Sequence, residues 1–549
     1  MHYPWFKLDS LNGFIVLAIA LFSVLILIYS WRFMKGRGQG LRYYTYIILT
    51  AASSIGAVLA NNLILLAILW GFLGLTLYLL INTAKDDASS TAKKTLIIIG
   101  GTDALMLLGI GIIYYISGTM QIDKIRVALD GNLQFLPIAA YLCIAIACFA
   151  KAGAMPFHTW IPDCAEKAPI PVVAYLPASL DKLLGIYLLA RLSLDLFILN
   201  QAINIFLMVI GAFTIIAAVM MALVQHNMKR LLGYHAVSQV GYMVLGIGTG
   251  TPIGIAGGIF HMLNHAVYKA CLFLTAGNVE YRTKTSELDK LGGLAKWMPF
   301  TYICALIASL SISGIPPFNG FVSKWMVYQG LIERLSFSGG RLVTILCLAA
   351  AMVGSGLTLA SFMKLLHATF LGQQPGGAKK RPDEVPWQMW LPCVVLAVIC
   401  VLFGVFANQL PLKYFILPAV GGISFIGSWY AGLSTMLIVI GLLLGIFIFK
   451  LKAIKPLMRQ DAPFVGAEGA ELGENRVSGT EFYNTVKEFR GLAGIYAKAE
   501  KGYFDIYEQG KSLVFGIGRF FQFLHNGVLP TYLVWTLLGM IALFFVLMR

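Results

Sequence analysis

Long apolar stretches separated by short polar segments dominate the pattern along this 549-residue chain. A helix needs roughly 20 mostly apolar residues to cross the hydrocarbon core of a bilayer. About fourteen runs approach or exceed that length, so the pattern predicts an all-α, polytopic membrane protein with about 14 transmembrane helices. The runs cover residues 11–31, 42–60, 63–82, 95–117, 134–153, 171–191, 202–224, 231–249, 253–277, 299–333, 342–371, 388–410, 433–450 and 529–547.

Two of the runs contain signals that break a helix beside a lysine. Lys151 is followed at once by Gly153 and Pro156, and the sequence GIPPFNG precedes Lys324. Interrupted helices in corresponding positions of two halves are typical of transporters built from internal repeats. We therefore predict two discontinuous helices in internally repeated halves. The alternative is that each lysine only extends to the membrane surface.

Residues 451–528 are more polar and contain no complete spanning run. From about residue 481 to residue 524, aromatic and aliphatic residues alternate with Lys and Glu, which is typical of an amphipathic helix that lies along a membrane or a partner. A solvated loop is the alternative. The prediction is a transmembrane domain at 1–450, a lateral amphipathic segment at 451–528 and a C-terminal transmembrane helix at 529–549.

The composition supports a membrane protein and suggests its orientation. Charged residues make up 12% of the chain, about half of the roughly 25% found in soluble domains, and the mean hydropathy is +0.79. A soluble enzyme, a disordered protein and a nucleic-acid binder are therefore excluded. The 41 Lys and Arg outnumber the 25 Asp and Glu by 16. By the predicted helix count, five basic loops face one side, which the positive-inside rule assigns to the cytoplasm of a cell inner or plasma membrane. These loops are 32–41, 83–94, 225–230, 278–298 and 372–387.

The sequence predicts no cofactor or metal in this chain. Its eight cysteines occur singly without a CxxC pair, so neither an iron–sulfur cluster nor a thiolate zinc site is indicated. The sequence HMLNH has the spacing of the zinc-protease motif HExxH, but Met262 occupies the position of the glutamate base. We therefore expect no catalysis by this chain alone.

Three ionisable residues follow one another at helical spacing in FHMLNHAVYKACLFL. His261, His265 and Lys269 lie at i, i+4 and i+8, near one face of a helix and about 12 Å from end to end. Because histidine titrates near neutral pH, such a row is suited to pass protons stepwise with water in the gaps. His235 and His367 are interpreted as packing or interface histidines.

Further ionisable residues lie inside other apolar runs, where an uncompensated charge is costly. Asp103 is the acidic residue of an otherwise apolar helix and a candidate partner for a buried lysine; a locally hydrogen-bonded structural role is the alternative. Asp181 and Lys182 are adjacent, so they point to different sides of their helix. We expect Lys182 to face Lys151 across the intervening turn.

The stretches around these residues resemble the antiporter-like, proton-pumping membrane subunits of the complex I superfamily. That family includes the large membrane subunits of NADH–quinone oxidoreductase, Mrp-type sodium/proton antiporters and membrane-bound energy-converting hydrogenases. The resemblance covers about residues 10–450, and LPASLDKLLGIYLLAR and FDIYE look closest to the hydrogenase branch. The similar stretches are AKAGAMPFHTWIPDCAEKAPIPVVAYLPAS, KRLLGYHAVSQVGYM, HMLNHAVYKACLFL and GIPPFNGFVSKW.

The resemblance implies a role for each candidate residue. Lys151 matches the central pumping lysine, Lys182 the connecting lysine, and Lys324 the lysine on the exit side. HMLNHAVYKACLFL matches the helix that carries His, His and Lys. The predicted proton path therefore enters near Asp103 and Lys151, includes Asp181 and Lys182, follows that helix and leaves through Lys324.

The chain also departs from the family pattern. The family usually has Trp-Glu where this chain has Trp70-Gly71, and that glutamate normally pairs with the first lysine. Asp103 falls where some members carry Gly-Asp and is expected to substitute. Pro177 stands where many members have histidine. The chain also looks as if it begins at the third helix of the family.

The resemblance implies a proton-translocating subunit of a redox-driven membrane complex. Its expected partners are other membrane and peripheral subunits, protons and the lipid bilayer, with no nucleic acid. One alternative is a sodium/proton antiporter subunit of Mrp type, and another is a structural subunit with an inactive channel. A solute transporter is disfavoured because the sequence indicates no substrate pocket.

Overall fold

The chain forms helices almost throughout, in a computed structural model that describes residues 5–36, 40–84, 88–129, 135–337, 339–373, 382–425, 427, 429–450, 480 and 484–548. It divides into two compact units, Met1–Glu488 and Phe489–Arg549. The helices of the first unit are α1 (Ser10–Phe33), α2 (Gly40–Leu59), α3 (Leu63–Ile81), α4 (Ser89–Ser117), α5 (Phe135–Ala152), α6 (Trp160–Lys167), α7 (Ile170–Tyr175), α8 (Asp181–Arg191), α9 (Gln201–Leu223), α10 (Met228–Gly248), α11 (Pro252–Thr283), α12 (Pro299–Ser313), α13 (Asn319–Arg334), α14 (Arg341–Leu366), α15 (Trp387–Val405), α16 (Leu417–Val420), α17 (Ala431–Lys450) and α18 (Asn484–Glu488).

Shorter elements join these helices. Within the described residues the only strands are β1 (Val127–Ala128) and β2 (Phe197–Ile198), which pair in parallel with Val127 opposite Phe197. Wider π-helical turns occur at Leu176–Leu180, Leu192–Leu196, His367–Leu371 and Asn408–Ile416. Single 3₁₀ turns occur at Ile122–Lys124, Leu288–Lys290 and Leu294–Lys296.

The helices confirm an all-α, multi-pass membrane protein. Ten of the described helices are long and apolar enough to cross a membrane. The predicted count of about fourteen is not confirmed, because the other four runs form helices that are more polar or interrupted. These four runs correspond to α2, α10, α11 and the pair α12–α13.

The most deeply buried helices are those that carry most of the candidate site. All residues at 170–190, 231–249 and 256–279 are buried. Glycines let these helices approach closely: a Cβ added at Gly241 of α10 would lie 2.5 Å from the carbonyl oxygen of Gly211 on α9. Small residues at helix crossings are how membrane helices gain tight packing.

Both predicted breaks are present, and each begins at a glycine. Helix α5 ends at Ala152, and Gly153 then takes a left-handed conformation with φ of +84°. Helix α12 ends at Ser313, and Gly314 takes the same conformation with φ of +81°. A residue with a Cβ is disfavoured in this conformation. Each glycine therefore stands directly after the last residue of its helix and terminates it.

The second unit contains the helices α19 (Ala493–Glu500), α20 (Ile506–Leu524) and α21 (Leu529–Leu547). Helix α20 carries both charged and large apolar side chains, and α21 is long and apolar enough to span a membrane. Residues 451–479 and 481–483 of the predicted lateral segment at 451–528 lie outside the described residues. The domain boundaries at 450 and 528 therefore stay a prediction. Residues 37–39, 85–87 and 374–381 of the basic loops also lie outside the described part of the chain.

Candidate functional site

Lys151 occupies the end of the first interrupted helix and is fully buried. Its Nζ donates a hydrogen bond of 3.4 Å to the backbone carbonyl of Trp70 and lies 4.9 Å from the centre of the Trp70 ring. The indole Nε1 of Trp70 donates in turn to Oδ1 of Asp103 at 2.9 Å. Trp70 therefore connects the amine to the carboxylate, and no ion pair within 4.0 Å joins Lys151 directly to Asp103.

The surroundings of Gly71, next to Trp70, differ from those of Gly74 one turn away. Gly71 is exposed, and a Cβ at this position would meet nothing within 4 Å. One turn further along α3, a Cβ at Gly74 would lie 3.7 Å from Oδ2 of Asp103. The Asp103 carboxylate on α4 thus lies against α3, within electrostatic reach of Lys151.

Lys182 lies against the break that follows α5. A Cβ at Gly153 would lie only 3.2 Å from Nζ of Lys182, and the same Nζ is 5.8 Å from the centre of the Trp160 ring. The neighbouring carboxylate of Asp181 is within electrostatic reach of both Lys151 and Lys182. The Asp181 carboxylate therefore interacts electrostatically with both lysines.

These groups are buried without direct hydrogen bonds. Asp181 and Lys182 have no exposed surface. Among the described residues, both carboxylate oxygens of Asp181 and the Nζ of Lys182 lack a hydrogen-bond partner. Buried charged groups normally find partners, so unpartnered atoms of this kind are places where a bridging water is expected.

The second and third residues of the row on α11 have the same character. His265 and Lys269 are fully buried, and none of their side-chain nitrogens has a hydrogen-bond partner in the described part of the chain. Nζ of Lys269 contacts two aromatic rings instead, with distances of 5.6 Å to the centres of Phe273 and of Phe362. His265 is within electrostatic reach of Lys182 as well as Lys269.

His261, at the start of the row, is held by polar side chains from other helices. Its Nδ1 lies 2.9 Å from Oγ of Ser323 on α13, and its Nε2 lies 3.2 Å from Oε1 of Gln239 on α10. The hydroxyl of Tyr268 lies 3.3 Å from the same Nε2. This histidine therefore has a fixed ring position between α10 and α13.

Lys324 lies beside the second break. Its Nζ donates at 2.8 Å to the carbonyl oxygen of Ile312, in the last turn of α12. The same Nζ is 4.7 Å from the centre of the Tyr242 ring. A cation is favoured at this place, because the carbonyls at a helix C-terminus carry partial negative charge. Lys324 is also the charged neighbour of His261.

The predicted residues thus form one line, which is buried except for the partly exposed Asp103 at its first position. Each member is within hydrogen-bond or electrostatic reach of the next, from α4 to α13. The order is Asp103, Lys151, Asp181, Lys182, His265 with Lys269, His261 and Lys324. Among the described residues, no group of three or more His, Cys, Asp or Glu side chains is arranged to hold a metal ion.

Sequence reasoning missed several side chains that complete the line. It gave no role to Gln239 and Ser323, which hold His261, and it did not foresee that Trp70 lies between Asp103 and Lys151. Ser323 directly precedes Lys324, so its place beside the lysine was the available signal. Gln239 offered none, because only the rotation of α10 against α11 brings it to the histidine.

With this geometry in place, similarity to known proteins decides the family. The family described as NADH:quinone oxidoreductase/Mrp antiporter, transmembrane, matches residues 60–358, which include every candidate residue from Asp103 to Lys324. The chain belongs to this family.

Individual family members differ in the complexes that their names indicate. The chain is 32% identical over 471 residues to Na(+)/H(+) antiporter subunit A1 of Staphylococcus haemolyticus, covering 80% of this chain and 58% of that protein. It is 30% identical over 430 residues to Hydrogenase-4 component B of Escherichia coli, covering 74% and 63%. It is 31% identical over 422 residues to chloroplastic NAD(P)H-quinone oxidoreductase subunit 5 of Chaetosphaeridium globosum, covering 73% and 61%. The chain therefore spans only about three-fifths of the length of these relatives.

Two solved structures share the fold. A chain in the structure of the membrane-bound sulfane sulfur reductase, an archaeal respiratory membrane complex, has a TM-score of 0.78 at 23% identity, covering 98% of this chain and 89% of that chain. A chain in the Mrp complex of Dietzia sp. DQ12-45-1b has a TM-score of 0.67 at 23% identity, covering 75% and 84%. This likeness establishes the shared fold.

Proposed function

We propose that this chain translocates protons across a membrane as a subunit of a redox-driven complex of the complex I superfamily. The observation that carries the proposal is the buried line itself. Four lysines and two histidines lie on it, each at most 2% exposed, together with the fully buried Asp181. Ionisable groups in a membrane interior are costly, so their retention in a connected line supports a transport role.

The chemistry of the line favours protons over metal cations. A sodium ion is held by oxygen ligands, whereas an ammonium group offers only donors and repels the ion. Lysine and histidine predominate from Lys182 to Lys324, while the two carboxylates, Asp103 and Asp181, lie at the other end. Amines and imidazoles gain and release protons, which matches a proton path better than a sodium path.

Repulsion between neighbouring amines supplies the coupling. Lys182 and Lys269 are within electrostatic reach of each other, as are Lys324 and His261. Two like charges that interact in a medium of low dielectric constant disfavour each other. A proton that arrives at one site therefore promotes release from the next, and charged and neutral sites alternate along the line.

We propose that protons enter at Asp103 and Lys151, pass Lys182, follow the row on α11 and leave by Lys324. Trp70 fixes the geometry of the entry, because it contacts both the carboxylate and the amine. The unpartnered nitrogens of Lys182 and Lys269 mark places where a bridging water would complete the path. The chain supplies no redox centre in this scheme, so partner subunits provide the driving reaction.

Names of relatives support the redox-driven setting. Hydrogenase-4 component B and NAD(P)H-quinone oxidoreductase subunit 5 are, by their names, components of oxidoreductases. A chain of the sulfane sulfur reductase complex has the same fold along nearly the whole of this chain. We therefore infer partner subunits both in the membrane and at its surface.

The test is proton uptake by vesicles that contain the intact complex purified with this chain. Replacing Lys151 with alanine is expected to lower uptake by at least about tenfold, since a titratable relay group is worth that much or more. Lys413→Ala is the matched control, because Lys413 is exposed and lies outside the line. Undiminished uptake with Lys151→Ala rejects the proposal.

A sodium/proton antiporter subunit of Mrp type is the second candidate. It is favoured by the relative from Staphylococcus haemolyticus, which is named as an antiporter subunit. This candidate predicts proton movement that requires a sodium gradient and no electron donor. Proton uptake that starts only when the electron donor is added, in sodium-free buffer, contradicts it.

A structural subunit with an inactive channel is the remaining alternative, because Gly71 replaces the usual glutamate. It predicts that Lys151→Ala and Lys324→Ala leave proton uptake by the assembled complex unchanged, whereas deletion of 451–528 prevents assembly. The hydrogen bonds that join Asp103 to Trp70 and Trp70 to Lys151 argue against it. Through them, the Asp103 carboxylate is connected to the lysine in place of the missing glutamate.

A further inference from the structure

His235 is a fully buried histidine that the proton path above does not use. It lies on α10, and its Nε2 is 2.7 Å from the hydroxyl oxygen of Ser361 on α14. Its ring lies 4.7 Å from the ring of Phe362. Its Nδ1 has no hydrogen-bond partner among the described residues. Buried polar atoms normally have hydrogen-bond partners, so an unpartnered nitrogen is not expected of a histidine that serves only in packing.

The surroundings of His235 connect it to the buried line. Phe362 is also contacted by Nζ of Lys269, so one aromatic ring separates the imidazole from that amine. The charged groups near His235 come from three helices: Lys269 of α11, Lys324 of α13 and Lys364 of α14. All three are cationic, and no carboxylate is among these neighbours.

A second set of titratable groups leads from His235 to the protein surface. Lys364 lies one turn beyond Ser361, and its Nζ donates to the carbonyls of Leu223 at 2.6 Å and Gln225 at 2.8 Å. These carbonyls belong to the end of α9 and to the loop that follows it. Lys364 is only 3% exposed, so the lysine lies just below the surface.

Exposed titratable groups lie at the outer end. His226 follows Gln225, and its Nδ1 lies 2.8 Å from Oδ2 of Asp289, with about two-fifths of each side chain exposed. Asp289 is within electrostatic reach of Lys364. Both exposed residues lie in the loops 225–230 and 278–298, which the charge pattern assigns to the cytoplasm; we refer to this face as the basic-loop side.

We propose that His235 and Ser361 form a second proton-entry branch, which leads from the basic-loop side to Lys269. Its outer members are His226, Asp289 and Lys364. This inference rests on the proposed function, because the branch delivers protons to the line defined there. It differs from that path in its entrance, which opens beside α14 rather than at Asp103.

The proton balance of the branch is simple. The Ser361 hydroxyl gives its proton to Nε2 of His235 and receives another, through water, from the side of Lys364. Nδ1 gives up its proton, also through water, to the neutral amine of Lys269. The imidazole ends neutral with its proton on the other nitrogen, and one proton has moved inward.

The three lysines around His235 make this branch conditional. A positive charge on the imidazole is opposed by each charged amine near it. His235 therefore takes up a proton only after Lys269 has released its own, so the branch refills an empty site and does not add to a full one.

The first test uses vesicles with the intact complex that carries His235→Ala. Because the branch refills Lys269 in each transport cycle, proton uptake is expected to fall by at least about tenfold, and added imidazole is expected to restore it. His367→Ala is the control, because His367 is an exposed histidine near the end of α14. Unchanged uptake overturns the proposal, and so does a loss that imidazole fails to restore, because that result assigns His235 a packing role.

The second test measures water access without relying on transport. Ser361→Cys is expected to react with a small, charged thiol reagent added from the basic-loop side, above the background of the native cysteines. Thr358→Cys, one turn deeper on α14, is expected to stay unreacted, because Thr358 is as buried as Ser361 but lies away from the branch, with its hydroxyl bonded to the carbonyl of Gly354 within its own helix. Equal absence of labelling at both positions overturns the branch.

The two tests separate this inference from the proposed function. If the unsubstituted complex moves no protons, the proposed function fails, and the labelling of Ser361→Cys still decides whether a water path exists. If Lys151→Ala abolishes uptake while His235→Ala leaves it unchanged, only the branch fails.

Discussion

Replacing Gly153 with alanine perturbs the line at the point where Lys182 meets the first helix break. Gly153 has a φ of +84°, and a Cβ there would lie 1.9 Å from Cδ1 of Ile161 and 3.2 Å from Nζ of Lys182. The substitution therefore strains the backbone, pushes Ile161 away and crowds the amine. Both neighbours are fully buried and have little room to move.

The magnitude follows from two contributions. The left-handed backbone costs a residue with a Cβ roughly 1–2 kcal/mol. Overpacking of a filled interior adds roughly 1–3 kcal/mol. Gly118→Ala provides the matched control, since Gly118 has a φ of +68° and a Cβ there would meet nothing within 4 Å. The control therefore carries the backbone cost without the contact, and the difference between the variants is about 1–3 kcal/mol.

Thermal unfolding of the purified protein and proton uptake by vesicles are the assays. We expect Gly153→Ala to unfold at a lower temperature than Gly118→Ala. We also expect its proton uptake to fall by about tenfold or more, because small displacements of reacting groups have large effects on rate. If both variants unfold alike and transport at the wild-type rate, the reasoning about Lys182 and the break is wrong.

Three further substitutions test separate contacts. Trp70→Phe keeps an aromatic ring but removes the indole N–H bonded to Asp103; proton uptake should fall several-fold with little change in unfolding temperature, and wild-type uptake would contradict a role at the entrance. Gly241→Leu places a Cβ 2.5 Å from the backbone oxygen of Gly211; the unfolding temperature should drop sharply, and an unchanged value would show that the two helices have room to separate. Asn319→Ala removes the hydrogen bond that Nδ2 of Asn319 donates to Oδ1 of Asn264 and leaves that buried oxygen unsatisfied at a cost of about 1–3 kcal/mol; a stability equal to wild type would contradict this contact.

The helix breaks and the row on α11 were predictable from the sequence, because both depend on local chemistry. A glycine followed by prolines ends a helix wherever it lies, so the positions of Gly153 and Gly314 indicated the breaks directly. The i, i+4, i+8 spacing likewise fixed the common face of His261, His265 and Lys269. Periodicity and backbone constraints act within one helix and need no knowledge of its neighbours.

The contacts between helices were harder to predict from the sequence. The pattern suggested a carboxylate partner for Lys151 but not the indole of Trp70 that lies between the two. It also favoured a packing role for His235, because α10 alone does not reveal that Ser361 faces it from α14. Such contacts depend on helix rotation and crossing, which tertiary packing sets. The span count differed because a helix that carries polar residues for the site, such as α11, falls below the hydropathy of an ordinary span.

The most direct test of the buried proton line compares two substitutions of Lys269 in the intact complex. Lys269→Met removes the titratable group and keeps most of the volume, whereas Lys269→His retains a group that binds protons. Uptake of protons by vesicles, measured while the electron donor is oxidised, should fall by at least about tenfold with methionine and recover substantially with histidine. Wild-type uptake with Lys269→Met would contradict the account.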